Sequence, residues 1–252
     1  MKYLVANWKM NLPQQGIPSY CAAIAAVTKD PRVRTVLAPP FPFIPETRDE
    51  SIRSGARVGL GAQNCSEYQD GAHTGEVSPE MIRSLGCAFV IVGHSERRSY
   101  EGDTDPRVSR KAESVARNSL IPIICVGEDQ SVREAGETEA KLHLQVSAAW
   151  SKALESAPQV LVAYEPLWAI GTGVHATADL IEEAGSWIRE ALGKTWGRGV
   201  SEATEILYGG SVSPENAAEL SRVGNVSGFL VGGASLEAEK LTKICEALAE
   251  AS

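Results

Sequence analysis

In Tyr164-Glu165-Pro166-Leu167-Trp168-Ala169-Ile170-Gly171-Thr172-Gly173, a carboxylate closes an apolar run and is followed by proline, tryptophan and a small, glycine-containing segment. Partial desolvation there raises a carboxyl pKa toward values useful to a general base. The segment after it can close over a ligand and offer N–H groups to an anion. The plainer reading is a rim glutamate in a surface ion pair. Gly171-x-Gly173-x-x-Ala176 also matches a dinucleotide fingerprint, but that motif needs its first glycine in the turn directly after the strand. Here Pro166 to Ile170 intervene, which excludes nicotinamide cofactors of that class.

A second group is Val92-Gly93-His94-Ser95-Glu96-Arg97-Arg98. If a helix starts at Ser95, its positive end disfavours an imidazolium and leaves neutral His94 as a hydrogen-bond donor. A lone histidine is more often structural, yet among His73, His94, His143 and His175 only His94 stands at a strand-to-helix junction. Its neighbours form no G-x-S-x-G elbow, so acyl hydrolysis has no support. Asn7-Trp8-Lys9 sets an amide and a cation beyond the first strand, and alternation along an extended segment points both to one side. Lys9 is then either a counter-charge for an anionic substrate or a solvated surface lysine. Ser211, in Tyr208-Gly209-Gly210-Ser211, and the pair Gly232-Gly233 follow two late strands. Their backbone N–H groups, with that of Gly171, suit a phosphate.

The elements that must hold these residues recur along the whole chain. Apolar, β-branched-rich runs occur at Tyr3–Ala6, Thr35–Ala38, Arg57–Ala62, Ala88–Val92, Ile121–Val126, Gln159–Tyr164, Glu205–Tyr208 and Gly228–Val231. Continuous hydrophobicity of this kind fits parallel strands buried on both faces. Helical stretches lie between them: Thr177-Ala178-Asp179 leads into one, and Ser213-Pro214 opens another with proline in the tolerated first turn. Such alternation fits a closed barrel or a doubly wound sheet. Polar or glycine clusters follow nearly every strand, whereas a doubly wound sheet gathers its chemistry at one switch point. The fold expected is therefore α/β, a single-domain (β/α)8 barrel over residues 1–252, with eight parallel strands, outer helices and the site on the rim of strand C-termini.

The 252 residues carry a net charge of −8, which disfavours nucleic acid and anionic membrane as partners. Any substrate anion must then be held by local cations and N–H groups. Five scattered cysteines without a C-x-x-C pair fit reduced thiols in a cytoplasm better than disulfides or structural zinc. The early polar residues do not read as a signal peptide, and no apolar run is long enough to span a bilayer.

Taken together and in order, several segments resemble the triosephosphate isomerase family over nearly the whole chain. They are Ala6-Asn7-Trp8-Lys9-Met10-Asn11, Gly61-Ala62-Gln63-Asn64, Thr74-Gly75-Glu76-Val77-Ser78 and Val92 to Arg98, then Cys125-Val126-Gly127-Glu128, Tyr164 to Gly173, Tyr208 to Val212 and Val231 to Leu236. The resemblance implies interconversion of dihydroxyacetone phosphate and D-glyceraldehyde 3-phosphate through an enediolate, as in glycolysis and gluconeogenesis. It implies Glu165 as base, neutral His94 as electrophile and Lys9 as the stabilising cation. Asn7, Lys9, Gly171, Ser211, Gly232 and Gly233 would bind substrate, and Ser95, Glu96 and Cys125 would support the site. No metal or organic cofactor is expected. A homodimer through loop 65–75 is also implied, with that loop entering beside the partner's site. The chain departs from the family pattern at Val174-His175, at His73 and at Asp103, none of them a catalytic position. Rival readings are another phosphate-binding barrel, such as a pentulose-phosphate epimerase, or a non-catalytic binding protein on the same fold.

Overall fold

The computed structural model describes residues 1–169 and 176–252. Its strands are β1 (Lys2–Asn7), β2 (Val33–Ala38), β3 (Gly59–Ala62), β4 (Phe89–Val92), β5 (Ile121–Val126), β6 (Leu161–Tyr164), β7 (Glu205–Tyr208) and β8 (Gly228–Val231). Each is parallel to its sequence neighbours, and β1 also pairs with β8, so the sheet closes into a barrel in simple chain order. The α-helices of the outer layer are α1 (Gly16–Ile24), α2 (Ile44–Ser54), α3 (Pro79–Ser84), α4 (Ser95–Tyr100), α5 (Asp105–Arg117), α6 (Gln130–Glu134), α7 (Thr138–Ala149), α8 (Ala178–Thr195), α9 (Arg198–Ala203), α10 (Pro214–Leu220) and α11 (Ala238–Glu250).

The two-residue period of the strands explains why continuous hydrophobicity is needed. In β5, Ile121, Ile123 and Cys125 point into the barrel interior with Val5, Phe89, Leu161 and Leu230. Ile124 and Val126 point the other way, into the shell between sheet and helices. Each strand thus serves two cores, and polar residues inside a strand are rare; buried Thr35 in β2 is one, with its hydroxyl 3.9 Å from Cys245 Sγ.

The strand boundaries shift slightly from the sequence reading. β3 begins at Gly59 and not at Arg57, because the Arg57 N–H donates to Thr28 Oγ1 at 3.1 Å instead of joining the ladder. The helix starts follow capping chemistry. Thr177 is extended ahead of α8, whose first turn carries Asp179 and whose last carries Lys194, both matching the helix dipole. At α10, Pro214 occupies the first turn and Asn216 Oδ1 accepts the Ser213 N–H at 2.9 Å. Among the described residues, no helix is long and apolar enough to cross a membrane.

Candidate active site

Glu165 directly follows β6 and is 2% exposed. Its N–H donates to Val126 O at 2.7 Å, which carries the β5–β6 ladder one residue past the strand end. Gly127 makes this approach possible, since a Cβ there would lie 1.8 Å from the Glu165 carbonyl oxygen. The carboxylate is then fixed from β4: Oε1 faces His94 Nε2 at 3.0 Å, and Oε2 accepts the Ser95 N–H at 2.8 Å.

His94 caps α4, with Nδ1 accepting the Glu96 N–H at 3.2 Å. Burial lowers its pKa, but the Glu165 carboxylate outweighs this and raises it. A second proton on Nδ1 would point at an N–H that this nitrogen already accepts. The geometry therefore holds one proton, on Nε2, aimed at Glu165.

The structure corrects the sequence reading of Glu165 itself. Burial alone would raise its pKa, as expected from its apolar flanks, yet the His94 imidazole and the Ser95 N–H more than offset this and lower it. Those partners lie about seventy residues away in sequence (|i−j| = 70 for Ser95), beyond the reach of any local pattern.

Asn7 and Lys9 line one cleft, as expected, but not by strand alternation. The chain leaves the extended state at Lys9, whose φ of 51° is left-handed and costs a non-glycine residue about 1–2 kcal/mol. Asn7 Oδ1 secures this turn by accepting the Lys9 N–H at 3.0 Å. Gln63 Nε2, to which the sequence reading gave no role, donates to Lys9 O and Ala38 O, both at 2.8 Å. The Lys9 ammonium meets Glu96 Oε1 at 2.6 Å and so stands partly neutralised.

The late strands supply the opposite wall. Gly209, Ser211, Gly232 and Gly233 line the same cleft of about 430 Å³ as Asn7, Lys9, His94 and Glu165. A Cβ on Gly232 would lie 3.1 Å from Lys9 Cε, so bare backbone here leaves room for the lysine stem. Gly171 and His175 lie outside the described residues. Cys125 is buried in the barrel interior, and burial together with the Glu165 charge pushes its thiol pKa well up. The Ser95 contact to Glu165 comes from the backbone; its hydroxyl is buried without a partner among the described residues.

One cluster escaped the sequence reading altogether. Glu128 is fully buried and accepts from Tyr164 Oη at 3.1 Å and Trp168 Nε1 at 2.8 Å, gripping the chain on both sides of Glu165. Arg133 stacks on Trp168 at 4.4 Å. Burial raises the Glu128 pKa against these donors. The signal available was a glutamate two residues past a strand, which alone says nothing about partners.

Of the departures from the family pattern, Asp103 is buried and takes Lys111 Nζ at 2.7 and 2.8 Å, with Arg97 at 3.4 Å. His73 is exposed in the single chain and stacks on Tyr68, with ring centroids 3.8 Å apart and planes at 4°.

This geometry meets independent sequence comparison. Residues 2–248 match the family model described as Triosephosphate isomerase. The chain is 42% identical over 246 residues to the triosephosphate isomerase of Rhodopirellula baltica, covering 97% of this chain and 96% of that one. It is 43% identical over 243 residues to that of Moorella thermoacetica, covering 96% of each. With that of Thermus thermophilus it shares 42% over 240 residues, 94% of this chain and 95% of that one. An enzyme of the isomerase class by these relatives and a closed eight-stranded barrel by its structure, the chain belongs to the triosephosphate isomerase family.

Proposed function

We propose that the chain interconverts dihydroxyacetone phosphate and D-glyceraldehyde 3-phosphate through an enediolate, with residues 1–252 acting as one catalytic domain. The observation that carries this reading is the 3.0 Å contact of the buried Glu165 carboxylate with His94 Nε2, whose other ring nitrogen accepts the Glu96 N–H, in a cleft that also holds Lys9. The triosephosphate isomerase family is itself the standard illustration of this pairing of a glutamate base with a neutral histidine.

As the structure stands, Glu165 is engaged by two donors, which lower its basicity. A bound substrate draws the His94 Nε2 proton to its carbonyl oxygen and moves the carboxylate away from Ser95, so the pKa of Glu165 rises where a base is needed. Glu165 then takes a proton from C1 of dihydroxyacetone phosphate. The C–H electron pair becomes the C1–C2 double bond, and the carbonyl pair moves to O2, which takes the Nε2 proton. His94 recovers a proton from the O1 hydroxyl, Glu165 returns its proton to C2, and the aldehyde forms with no net gain or loss. Lys9, released from Glu96, faces the charge that builds on oxygen and phosphate. Asn7 lines that side, and the N–H groups of Ser211, Gly232, Gly233 and Gly171 suit the phosphate. Glu96 and Cys125 support Lys9 and Glu165 respectively.

Loop 65–75 is assigned to a homodimer contact, and Tyr68 (48% exposed), Met10 (94%) and Tyr100 (81%) supply apolar surface that such a contact would cover. The protein is assigned to the cytoplasm, without membrane or nucleic-acid partners. Incubating dihydroxyacetone phosphate with the enzyme in D2O tests the chemistry. Solvent deuterium is expected at C2 of the product to the extent that the proton on Glu165 exchanges with solvent before its return, and complete retention of the abstracted hydrogen, as in a direct hydride shift, would overturn the enediolate reading.

A further inference from the structure

Away from the cleft, α7 and α8 lie side by side in the outer layer and bring Glu139, His143 and Glu190 together. One donor atom from each lies within 4.8 Å of the other two. We propose that this trio is a binding site for a divalent transition metal of the zinc class, bridging α7 to α8 and separate from the isomerase chemistry.

The spacing carries the first part of the argument. Glu139 and His143 are four residues apart on one helix, which sets both on the same face, a spacing by which helices present two ligands to one ion. Glu190 completes the set from the neighbouring helix. An imidazole nitrogen with two carboxylate oxygens is a donor set that zinc accepts, with a fourth position left for water. Magnesium and calcium prefer oxygen alone and fit this set less well.

The second part is an unmet need. His143 is half-buried, and its Nε2, shielded from solvent, has no hydrogen-bond partner among the described residues, a state that folded proteins tend to avoid. The imidazole is also no hydrogen-bond or ion-pair partner of either glutamate in the structure, although both stand close. Donors around a tetrahedral ion at about 2.1 Å stand roughly 3.4 Å apart. Closing from the present spacing asks for side-chain rotations of about an ångström, which the exposed Glu139 and Glu190 can supply. Lys194 pairs with Glu190 and is the competitor a metal must displace; at 62% side-chain exposure it can turn into solvent.

Metal-stripped full-length protein, titrated calorimetrically with Zn2+ and followed by visible absorption with Co2+, tests the site. One ion per chain is expected, with Zn2+ raising the melting temperature and Mg2+ giving no comparable response. His143→Ala and Glu190→Gln should each lower Zn2+ affinity by at least about tenfold and abolish the thermal shift, since even groups behind the ligands are worth 10–100-fold. Both should keep the metal-free isomerase activity, which also reports that they fold. Absence of stoichiometric binding by the unaltered protein would overturn the proposal. So would binding that survives both substitutions but is lost in His94→Gln, because that would put the ion in the cleft.

Discussion

Replacing Gly127 by alanine should cripple turnover without touching any group that meets substrate. The new Cβ would stand 1.8 Å from the Glu165 carbonyl oxygen and 2.6 Å from its carbonyl carbon, where real contacts do not fall below about 3.0 Å. The obstruction is backbone, so no side chain can swing aside, and the β5 and β6 ends must part by about 1 Å. Gly127 is itself tethered, its N–H donating to the buried Gln145 Oε1 at 2.8 Å, so part of the displacement passes to Glu165. A misplacement of about 1 Å in a reacting group costs on the order of 10²-fold in rate, equivalent to about 2.7 kcal/mol. Overpacking of this kind also destabilises by about 1–3 kcal/mol. Steady-state kinetics should therefore show kcat down by roughly 10²-fold with KM changed far less, because the wall proposed to face the phosphate is built on β7 and β8. Urea unfolding should show the stability loss. If Gly127→Ala kept kcat within threefold of the unaltered enzyme, the tight β5–β6 junction would not be what aims the base.

Glu165→Gln should lower kcat by at least 10²–10⁴-fold while leaving the circular dichroism spectrum unchanged, and retention of a tenth of the activity would remove Glu165 as the base. Lys9→Met should raise KM and lower kcat, losing roughly 1.5–3 kcal/mol of charge-assisted binding, and unchanged constants at low salt would contradict its role. For pH, the sign follows from the lowered Glu165 pKa beside His94 and Ser95 and from the proposed loss of both partners when substrate binds. The acid limb of kcat should lie at higher pH than that of kcat/KM, after allowing for the substrate phosphate near pH 6; the reverse order would refute the exchange of partners. Burial pushes the thiols of Cys65 and Cys87 up to about 12, and Cys21, Cys125 and Cys245 are buried too. A thiol-titrating reagent at pH 8 should find less than one reactive cysteine per folded chain and all five after unfolding.

What could be read from the sequence, and what could not, divides by range. The strands were legible because burial on both faces imposes an unbroken apolar run, and the rim residues because polar groups interrupt those runs at their ends. The direction of the Glu165 pKa was not legible, since it depends on a histidine held in place by a different strand and a helix cap. Asn7 and Lys9 were expected on one side for the wrong reason: the chain turns left-handed at Lys9, held locally by Asn7 Oδ1 and at long range by Gln63, from the loop after β3. The clasp of Glu128 on Tyr164 and Trp168 likewise needs β5 and β6 already adjacent. Each miss depends at least in part on a contact that the barrel creates, which local propensity does not encode.

The pairing of β1 with β8 has a consequence for the newborn protein. During synthesis, Lys2–Asn7 emerges ahead of the other seven strands, yet one of its edges finds its partner only when Gly228–Val231 has left the ribosome. At about 5–20 residues per second that wait is on the order of 10–50 s. Through it the nascent chain carries an unpaired, apolar ribbon, the kind of edge to which other chains adhere. Lys9 and the Gly232 turn that walls it in cannot meet before this last joint closes, so a ribosome-bound chain halted ahead of β8 carries most of the scaffold and none of the finished cleft.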